Sequence, residues 1–157
     1  MRARKTEATI RQAYLSRALK ALRRRRGVRV DVLAKAIGLP VRTYQNFEAG
    51  RTQINVERVH AIAQILDADA PAIFAALELA SPEFAVRAAD NKLVTVFLMS
   101  LKDFDARSGD HITHLDARTL MGAFDQLFGE LAQVAKDRAD AACKWRGPRD
   151  PDDDDER

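Results

Sequence analysis

Residues 31–51, with the sequence DVLAKAIGLPVRTYQNFEAGR, decide the fold of this chain. Apolar side chains recur there at helical spacing and predict a short helix with one apolar stripe, formed by Val32, Leu33, Ala36 and Ile37. Gly38 follows, where a helix commonly ends on a residue that is free to adopt positive φ. Pro40 or Val41 begins a second helix, because proline is tolerated in a first turn that has no amide partner to lose. The stretch therefore predicts two helices and a tight turn, with Leu39 between them.

The second of these helices carries an unusual outer face. Its apolar residues Val41, Tyr44 and Phe47 are three apart and predict the inner stripe. The outward positions are Arg42, Thr43, Gln45 and Asn46. A solvated helix more often carries Glu and Lys there, whereas a guanidinium beside two carboxamides is the chemistry that reads base edges in the major groove. An ordinary helical hairpin with a polar outer face remains the alternative, since such hairpins recur in α folds.

A longer pattern surrounds this pair of helices, over roughly residues 15–79. Its parts are Leu-x-x-Leu-Arg-x-x-Arg-Gly at 19–27, Leu-Ala at 33–34, Ile-Gly-Leu at 37–39, Phe-Glu-Ala-Gly-Arg at 47–51, and Val59, Ile62, Ala63, Leu66 and Asp67. In this order the parts resemble the helix-turn-helix domain of the lambda-repressor-like family, also called the xenobiotic-response-element family. The resemblance implies an all-α fold, a five-helix DNA-binding domain and the binding of double-stranded DNA.

The side-chain chemistry and the resemblance together predict roles for individual residues. Base contacts are expected from Val41, Arg42, Gln45 and Asn46, and phosphate contacts from Arg26, Arg29, Thr43, Arg51, Thr52 and Gln53. Arg23 and Glu48 are expected to form a structural ion pair between the first and third helices. The chain departs from the family at Arg29, where a Ser or Thr cap is usual, and at Val30, where a phosphate-binding Gln is usual. Arg29 is a candidate to replace that lost phosphate contact.

Composition limits the remaining possibilities. The 157 residues allow one core or a small domain with an appendage, and the hydrophobic fraction of 46% is that of a soluble globular protein. Few glycines and prolines indicate few loops and an all-α chain. No apolar run approaches the ~20 residues of a membrane span, and residues 1–20 show no secretory signal. The single Cys143 excludes an internal disulfide, so we expect a cytoplasmic protein without membrane contact.

The net charge of +3 conceals an asymmetry between the halves of the chain. Residues 1–66 contain 15 Lys or Arg against 4 Asp or Glu, a net charge of +11. Residues 67–157 contain 11 against 19, a net charge of −8. A strongly basic half indicates a polyanionic partner. Nucleic acid is favoured over a membrane surface, because the basic half has no aromatic-rich amphipathic helix of the interfacial type.

Four segments are predicted along the chain. Residues 1–14 form a basic N-terminal extension of a first helix over 6–26, and residues 15–80 form the DNA-binding domain. In that domain Asn55 is expected to cap the fourth helix and Asp69 the fifth. Residues 81–145 form a two-helix oligomerisation region, with helices over 83–106 and 115–144 and a loop over 107–113. Residues 146–157 lack apolar side chains and are expected to be a disordered acidic tail.

The two predicted C-terminal helices carry broad apolar faces. In the last helix, leucine and phenylalanine alternate at spacings of four and three, which is typical of a coiled-coil or bundle seam. Dimerisation is favoured, because helix-turn-helix proteins usually bind operators as two-fold pairs. The residues expected at the dimer interface are Phe97, Leu101, Phe104, Leu120, Phe124, Leu127 and Leu131. A monomeric core, a ligand pocket or a different protein partner are the alternative uses of these faces.

No catalytic constellation emerges from the sequence. The nearest candidate is Asp110-His111-x-x-His114-x-Asp116, where Gly109 and Asp116 indicate a loop and a helix cap instead of a metal site. We therefore expect no enzyme activity, no cofactor and no metal. The sequence predicts a dimeric, sequence-specific transcriptional regulator of bacterial or phage type, with repression as the default. Two alternatives remain: an antitoxin-like autoregulator whose C-terminal helices bind a protein, or an adaptor that has lost DNA binding.

Overall fold

The computed structural model describes the backbone of residues 2–145 and the side chains of residues 9–144. Regular structure in this part is entirely helical, which confirms the all-α class. The α-helices are α1 (Arg2–Arg25), α2 (Val30–Ala36), α3 (Val41–Glu48), α4 (Val56–Ile65), α5 (Ala70–Glu78), α6 (Pro82–Arg87), α7 (Leu93–Ser108) and α8 (Ala117–Trp145), and a 3-10 helix, η1, spans Gly109–His114. The predicted acidic tail, 146–157, lies outside the described residues.

The hydrophobic core lies around α1. Leu15, Ala18, Leu19 and Leu22 recur at the spacing of one helix face, and all four are buried. This face packs against α3, α5 and α6, while α2 packs against α3 and α4. The larger buried side chains from the other helices are Leu33, Tyr44, Phe47, Val59, Ile62, Leu66 and Ile73. Each of the larger apolar side chains contributes about 1.5–3 kcal/mol by leaving water, so α1 supplies the scaffold on which the helix-turn-helix is held.

The buried stripe of α2 differs from the predicted one. Leu33 and Ala34 are buried and Ile37 is half-buried, whereas Val32 and Ala36 are exposed. The helix has only two turns, so only the side facing α3 and α4 contacts the core. The prediction that Val32 and Ala36 point inward was therefore wrong.

The predicted single helix over 83–106 is also wrong, because the structure divides it into α6 and α7. α6 packs against α1 and α5 and buries Pro82 and Ala85. The chain then turns through residues 88–92, where Lys92 adopts a φ of 53°. Asp90 pairs with Arg25 and Arg26 in this turn, and these contacts hold the break.

The chain divides into two compact units, Met1–Ala106 and Arg107–Arg157. The first unit thus extends past residue 80, because α6 packs against α1 and α5 and contributes Ala85 to the core. The predicted loop over 107–113 is wrong as well: α7 continues to Ser108 and η1 follows. The amide of Thr119 donates to Asp116 Oδ1 over 2.7 Å, so Asp116 caps α8 as predicted.

The second unit leaves most of its described apolar residues exposed. In α8 these include Met121, Phe124, Leu127, Phe128, Leu131 and Val134, and Leu120 is half-buried. The Phe124 and Phe128 rings lie 6.5 Å apart between centroids, so the apolar side chains form a continuous stripe along one side of the helix. Within the described part of the chain, none of the helices combines the length and apolar character required to traverse a bilayer.

Gly50 brings the segment after α3 into close contact with α1. Its φ is +70°, and a Cβ built on it would lie 3.0 Å from the carbonyl oxygen of Gln12. The side-chain amide of Gln12 also donates to the carbonyl oxygen of Thr52 over 3.1 Å. The N-terminal half of α1 therefore positions the segment that leaves the helix-turn-helix.

Gly50→Ala is expected to lower the free energy of unfolding by more than about 1 kcal/mol, because a side chain in left-handed backbone costs about 1–2 kcal/mol before any clash with Gln12. Chemical denaturation measures this. Gly27→Ala is the matched control, since Gly27 has a φ of +65° but open space at the Cβ position. Equal destabilisation by the two variants would show that the contact with Gln12 has no effect.

Candidate nucleic-acid interface

The turn between α2 and α3 is closed by backbone hydrogen bonds. Gly38, at φ +69°, donates its amide to the carbonyl of Lys35 over 3.1 Å, and Leu39 donates to Ala34 over 2.9 Å. These bonds satisfy carbonyls that the end of a helix otherwise leaves without partners. Leu39 is half-buried, and α3 begins at Val41, immediately after Pro40. The turn thus fixes the direction of α3 relative to α2.

The two sides of α3 have different environments. Tyr44, Phe47 and Glu48 are buried against the core. On the opposite side, Arg42 and Gln45 are exposed, Val41 is 41% exposed and Asn46 is half-buried. All four side chains proposed to contact bases therefore remain accessible to different degrees. Among the described residues no acidic group pairs with Arg42, so its guanidinium is available to an external acceptor.

A buried hydrogen-bond network joins α1 to α3. Arg23 Nε and Nη2 donate to Glu48 Oε1 and Oε2 over 2.6 and 3.2 Å, and Arg23 Nη1 donates to the carbonyl of Val28 over 3.0 Å. Tyr44 Oη donates to Glu48 Oε1 over 2.9 Å. The structure therefore brings together the residues of the predicted ion pair. It also adds Tyr44, which sequence reasoning missed although its separation of four residues from Glu48 on one helix was a usable signal.

The pKa shifts in this network have clear causes. The hydrogen bond to Glu48 raises the pKa of the Arg23 guanidinium above its ordinary value. Burial, followed by the nearby Glu48 charge, raises the pKa of the Tyr44 phenol. Both shifts keep the donors protonated, so the Glu48 carboxylate retains its donors at neutral pH. The network therefore holds α3 to α1 through charge-assisted hydrogen bonds, which are shorter and stronger than neutral ones.

A second contact joins α3 to α4. The Arg58 guanidinium lies 5.1 Å from the centroid of the Phe47 ring, within the range of a cation–π interaction. Asn55 Oδ1 accepts the amide of Arg58 over 2.7 Å, so Asn55 caps α4 as predicted. With the Arg23–Glu48 pair, this contact holds the inner side of α3 from two directions.

The proposed phosphate-contact residues differ in availability. Arg29 forms hydrogen bonds to Asp31 over 3.0 and 2.9 Å, and these bonds lower the pKa of the Asp31 carboxyl. Both side chains are exposed, and an exposed ion pair contributes little to stability, so a phosphate can compete for Arg29. Arg51 is exposed, with Nη1 3.5 Å from Asn46 Oδ1. Thr43, in the first turn of α3, is half-buried.

In the segment after α3, the hydroxyl of Thr52 is not accessible to a ligand. The Thr52 hydroxyl is buried and has no hydrogen-bond partner among the described residues, so it does not face a ligand outside. Its neighbour Gln53 is exposed. A phosphate contact at Thr52 must therefore use the backbone amide.

Arg26 is the proposed phosphate-contact residue that the structure removes from this surface. Its Nε and Nη2 donate to the carbonyls of Leu66 and Asp67, each over 2.8 Å, and Nη2 also donates to Asp90 over 2.7 Å. A contact with phosphate would break these bonds. Arg26 instead holds the end of α1 against the turn between α4 and α5. Its acceptors lie 40 or more residues away in sequence, so no local sequence pattern could have predicted these hydrogen bonds.

Candidate metal ligands do not converge in the described part of the chain. No group of three or more His, Cys, Asp or Glu side chains there could hold a metal ion. The rings of His111 and His114 lie 6.3 Å apart in η1. His60 is exposed, and its ring lies tilted against that of Phe74, with ring centroids 5.7 Å apart.

Comparison with known proteins supports the helix-turn-helix assignment. Residues 15–76 match the family model described as a helix-turn-helix domain, which covers less than half of the chain. The matched range runs from the buried part of α1 to α5 and includes the α2–turn–α3 unit described above. No curated protein and no solved structure shows a significant match to the chain. The chain therefore carries a helix-turn-helix domain, a class of domain that is characteristic of DNA-binding regulators.

Proposed function

We propose that this protein is a sequence-specific, double-stranded-DNA-binding transcriptional regulator of the lambda-repressor-like type. The observation that carries the proposal is the two-sided α3. Its inner side is held by Glu48 and Phe47, while Arg42 and Gln45 are exposed on the other side and have no hydrogen-bond acceptor among the described residues. A helix that is held on one side and carries an exposed guanidinium and carboxamide on the other has the properties needed to read base edges in the major groove.

In the proposed mechanism α3 enters the major groove. Arg42 donates to guanine O6 and N7, and Gln45 or Asn46 forms paired hydrogen bonds with adenine. Val41 offers an apolar contact to a thymine methyl group. Phosphates are held by the side chains of Arg29, Thr43 and Arg51 and by the amides of Thr52 and Gln53, and these contacts set the register without reading sequence.

The proposal includes a homodimer that acts as a repressor by occluding a promoter. The residues proposed for the interface are Phe97, Leu101 and Phe104 of α7 and Leu120, Phe124, Leu127 and Leu131 of α8. Leu101, Phe124, Leu127 and Leu131 are exposed in the single chain, which supports their use in an intermolecular contact. A two-fold dimer would place its two recognition helices about 34–36 Å apart, one turn of DNA.

The same exposed stripe of α8 also fits a protein partner of a different sequence, as in an antitoxin-like autoregulator. Light scattering coupled to size-exclusion chromatography separates the two uses. A dimer of the purified chain supports self-association. A monomer at micromolar concentration would favour a different partner for α8.

DNA binding is tested by fluorescence anisotropy across a salt series, with a random duplex and the promoter upstream of the protein's own gene. With about six phosphate contacts, the logarithm of the association constant should fall against the logarithm of the salt concentration with a slope of roughly −5. Tighter binding to the promoter than to the random duplex would support specific autoregulation. Absence of binding to both duplexes at low salt would overturn DNA binding.

A further inference from the structure

Asp69 is a buried carboxylate with an unexpected partner. The residue is 1% exposed and occupies the N-cap position of α5 as predicted, but its side chain makes no cap hydrogen bond to that helix. Instead, Oδ2 accepts the amides of Val94 and Thr95 over 2.8 and 3.3 Å, and Oδ1 accepts the Thr95 hydroxyl over 2.7 Å. A residue in the turn between α4 and α5 therefore caps the distant helix α7.

The cap completes the hydrogen bonding at the start of α7. The amide of Leu93 donates to Asn91 Oδ1 over 3.1 Å, and the amide of Val96 donates to the carbonyl of Lys92 over 2.9 Å. Helix N-termini leave their first amides without backbone partners. Asp69 supplies the acceptor for the amides between these two, and its negative charge is favourable at the positive end of the helix dipole.

Ion pairs surround this cap. Lys92 Nζ donates to the carbonyl and to Oδ1 of Asp67 over 2.9 and 2.8 Å. Arg25 and Arg26 donate to Asp90 over 2.5 and 2.7 Å. These hydrogen bonds lower the pKa of the Asp67 and Asp90 carboxyls. We call the contacts of Asp67, Asp69, Asp90, Lys92 and Thr95 the α7 joint; they connect the start of α7 to the end of α1 and to the α4–α5 turn.

The contacts of the α7 joint lie at the first residues of α7. None of its residues is buried. Within the described part of the first unit, the close helix–helix packing joins α1 to α6 and does not include α7. Contacts at the start of a helix constrain its direction, and a capped, charge-assisted start allows fewer directions than a bare one.

We propose that Asp69 is a positioning residue that fixes the direction in which α7 leaves the helix-turn-helix domain. The consequence for DNA rests on the proposed function: with α7 at a dimer interface, Asp69 sets the separation of the two recognition helices and therefore the half-site spacing that the dimer accepts. The direction of α7 itself does not depend on DNA binding.

The direction of α7 is measured by electron–electron distance spectroscopy on the full chain without DNA. Spin labels are placed at Gln64→Cys in α4 and Ser100→Cys in α7, in a Cys143→Ser background. The unsubstituted joint should give one narrow distribution of intramolecular distances, measured with doubly labelled chains diluted in unlabelled protein. Asp69→Asn should broaden or shift it, because the carboxamide turns an N–H group toward amide donors and weakens the cap.

Matched variants distinguish positioning from general stability. Thr95→Val should also broaden the distribution, since it removes the hydroxyl donor, whereas Thr95→Ser should restore the narrow one. Asp116→Asn, which weakens the cap of α8, should leave the measured distance unchanged. An unchanged distribution in folded Asp69→Asn would overturn the proposal; should that variant fail to fold, an unchanged distribution in Thr95→Val would overturn it.

The DNA consequence has a separate measurement. On operators selected for the unsubstituted protein, Asp69→Asn should lose the preference for one half-site spacing while keeping its affinity for a single half-site. Retained spacing preference would overturn the role of Asp69 in DNA recognition. Failure of the unsubstituted protein to bind any duplex would overturn the proposed function and leave the distance result standing.

Discussion

Glu48→Ala is expected to lower the free energy of unfolding by about 3–5 kcal/mol, the effect of breaking a buried ion pair from one side. The change removes the acceptor of both Arg23 donors and of the Tyr44 hydroxyl. The Arg23 guanidinium is then left in a largely buried site, where its side chain is only 14% exposed. Urea denaturation followed by circular dichroism measures the loss.

Two further variants define the origin of that loss. Glu57→Ala removes an exposed carboxylate from the first turn of α4 and is expected to cost less than about 1 kcal/mol. Replacing the pair together, with Arg23→Met and Glu48→Leu, should recover part of the loss, because no uncompensated buried charge remains and only the Tyr44 hydroxyl loses its acceptor among the Glu48 donors. A loss below about 1 kcal/mol for Glu48→Ala would contradict an important role for the pair in holding α3.

The double variant Arg42→Ala and Gln45→Ala should abolish sequence-specific DNA binding while leaving the fold intact. A good bidentate base contact contributes about 1–3 kcal/mol of discrimination, so the loss of two such contacts corresponds to roughly 10²- to 10⁴-fold in the preference for the operator. Both side chains are exposed, and exposed substitutions usually change stability by less than about 0.5 kcal/mol. Anisotropy titrations on specific and random duplexes measure the effect.

The matched control carries the same pair of changes away from α3. Arg118→Ala and Gln64→Ala together remove one guanidinium and one carboxamide from exposed positions in α8 and α4. This control should keep the operator preference. If the α3 variant also kept its preference and its cellular phenotype, the protein would be better explained as an interaction adaptor.

Local pattern predicted the features that depend on neighbours in sequence. The spacing of Tyr44 and Phe47 placed the inner side of α3, Gly38 marked the turn, and Asn55 marked the start of α4. These features follow from helical periodicity and from capping chemistry, both of which act within a few residues. The pairing of Arg23 with Glu48 came from the family resemblance and not from spacing.

Long-range partners explain what the sequence did not reveal. Arg26 belongs to a run of four arginines, and only the tertiary structure turns it toward the carbonyls of Leu66 and Asp67. Asp69 occupies the N-cap position of α5, but its side chain accepts the amides of Val94 and Thr95 of α7 instead of an amide of α5. The local pattern is the same whether such a side chain faces solvent, its own helix or a distant one.

By itself, the sequence determined that this chain is helical, that it contains a helix-turn-helix, and which side of α3 faces outward. Helical periodicity and turn residues are encoded within short windows, and the basic N-terminal half follows from composition, so all three can be recognised without coordinates. The tertiary structure alone decided which arginines are committed to carbonyls and carboxylates, and where the first unit ends. It also decided that the Asp69 side chain caps α7. A buried carboxylate accepts hydrogen bonds from whichever donors the packing of the whole domain brings within hydrogen-bond distance.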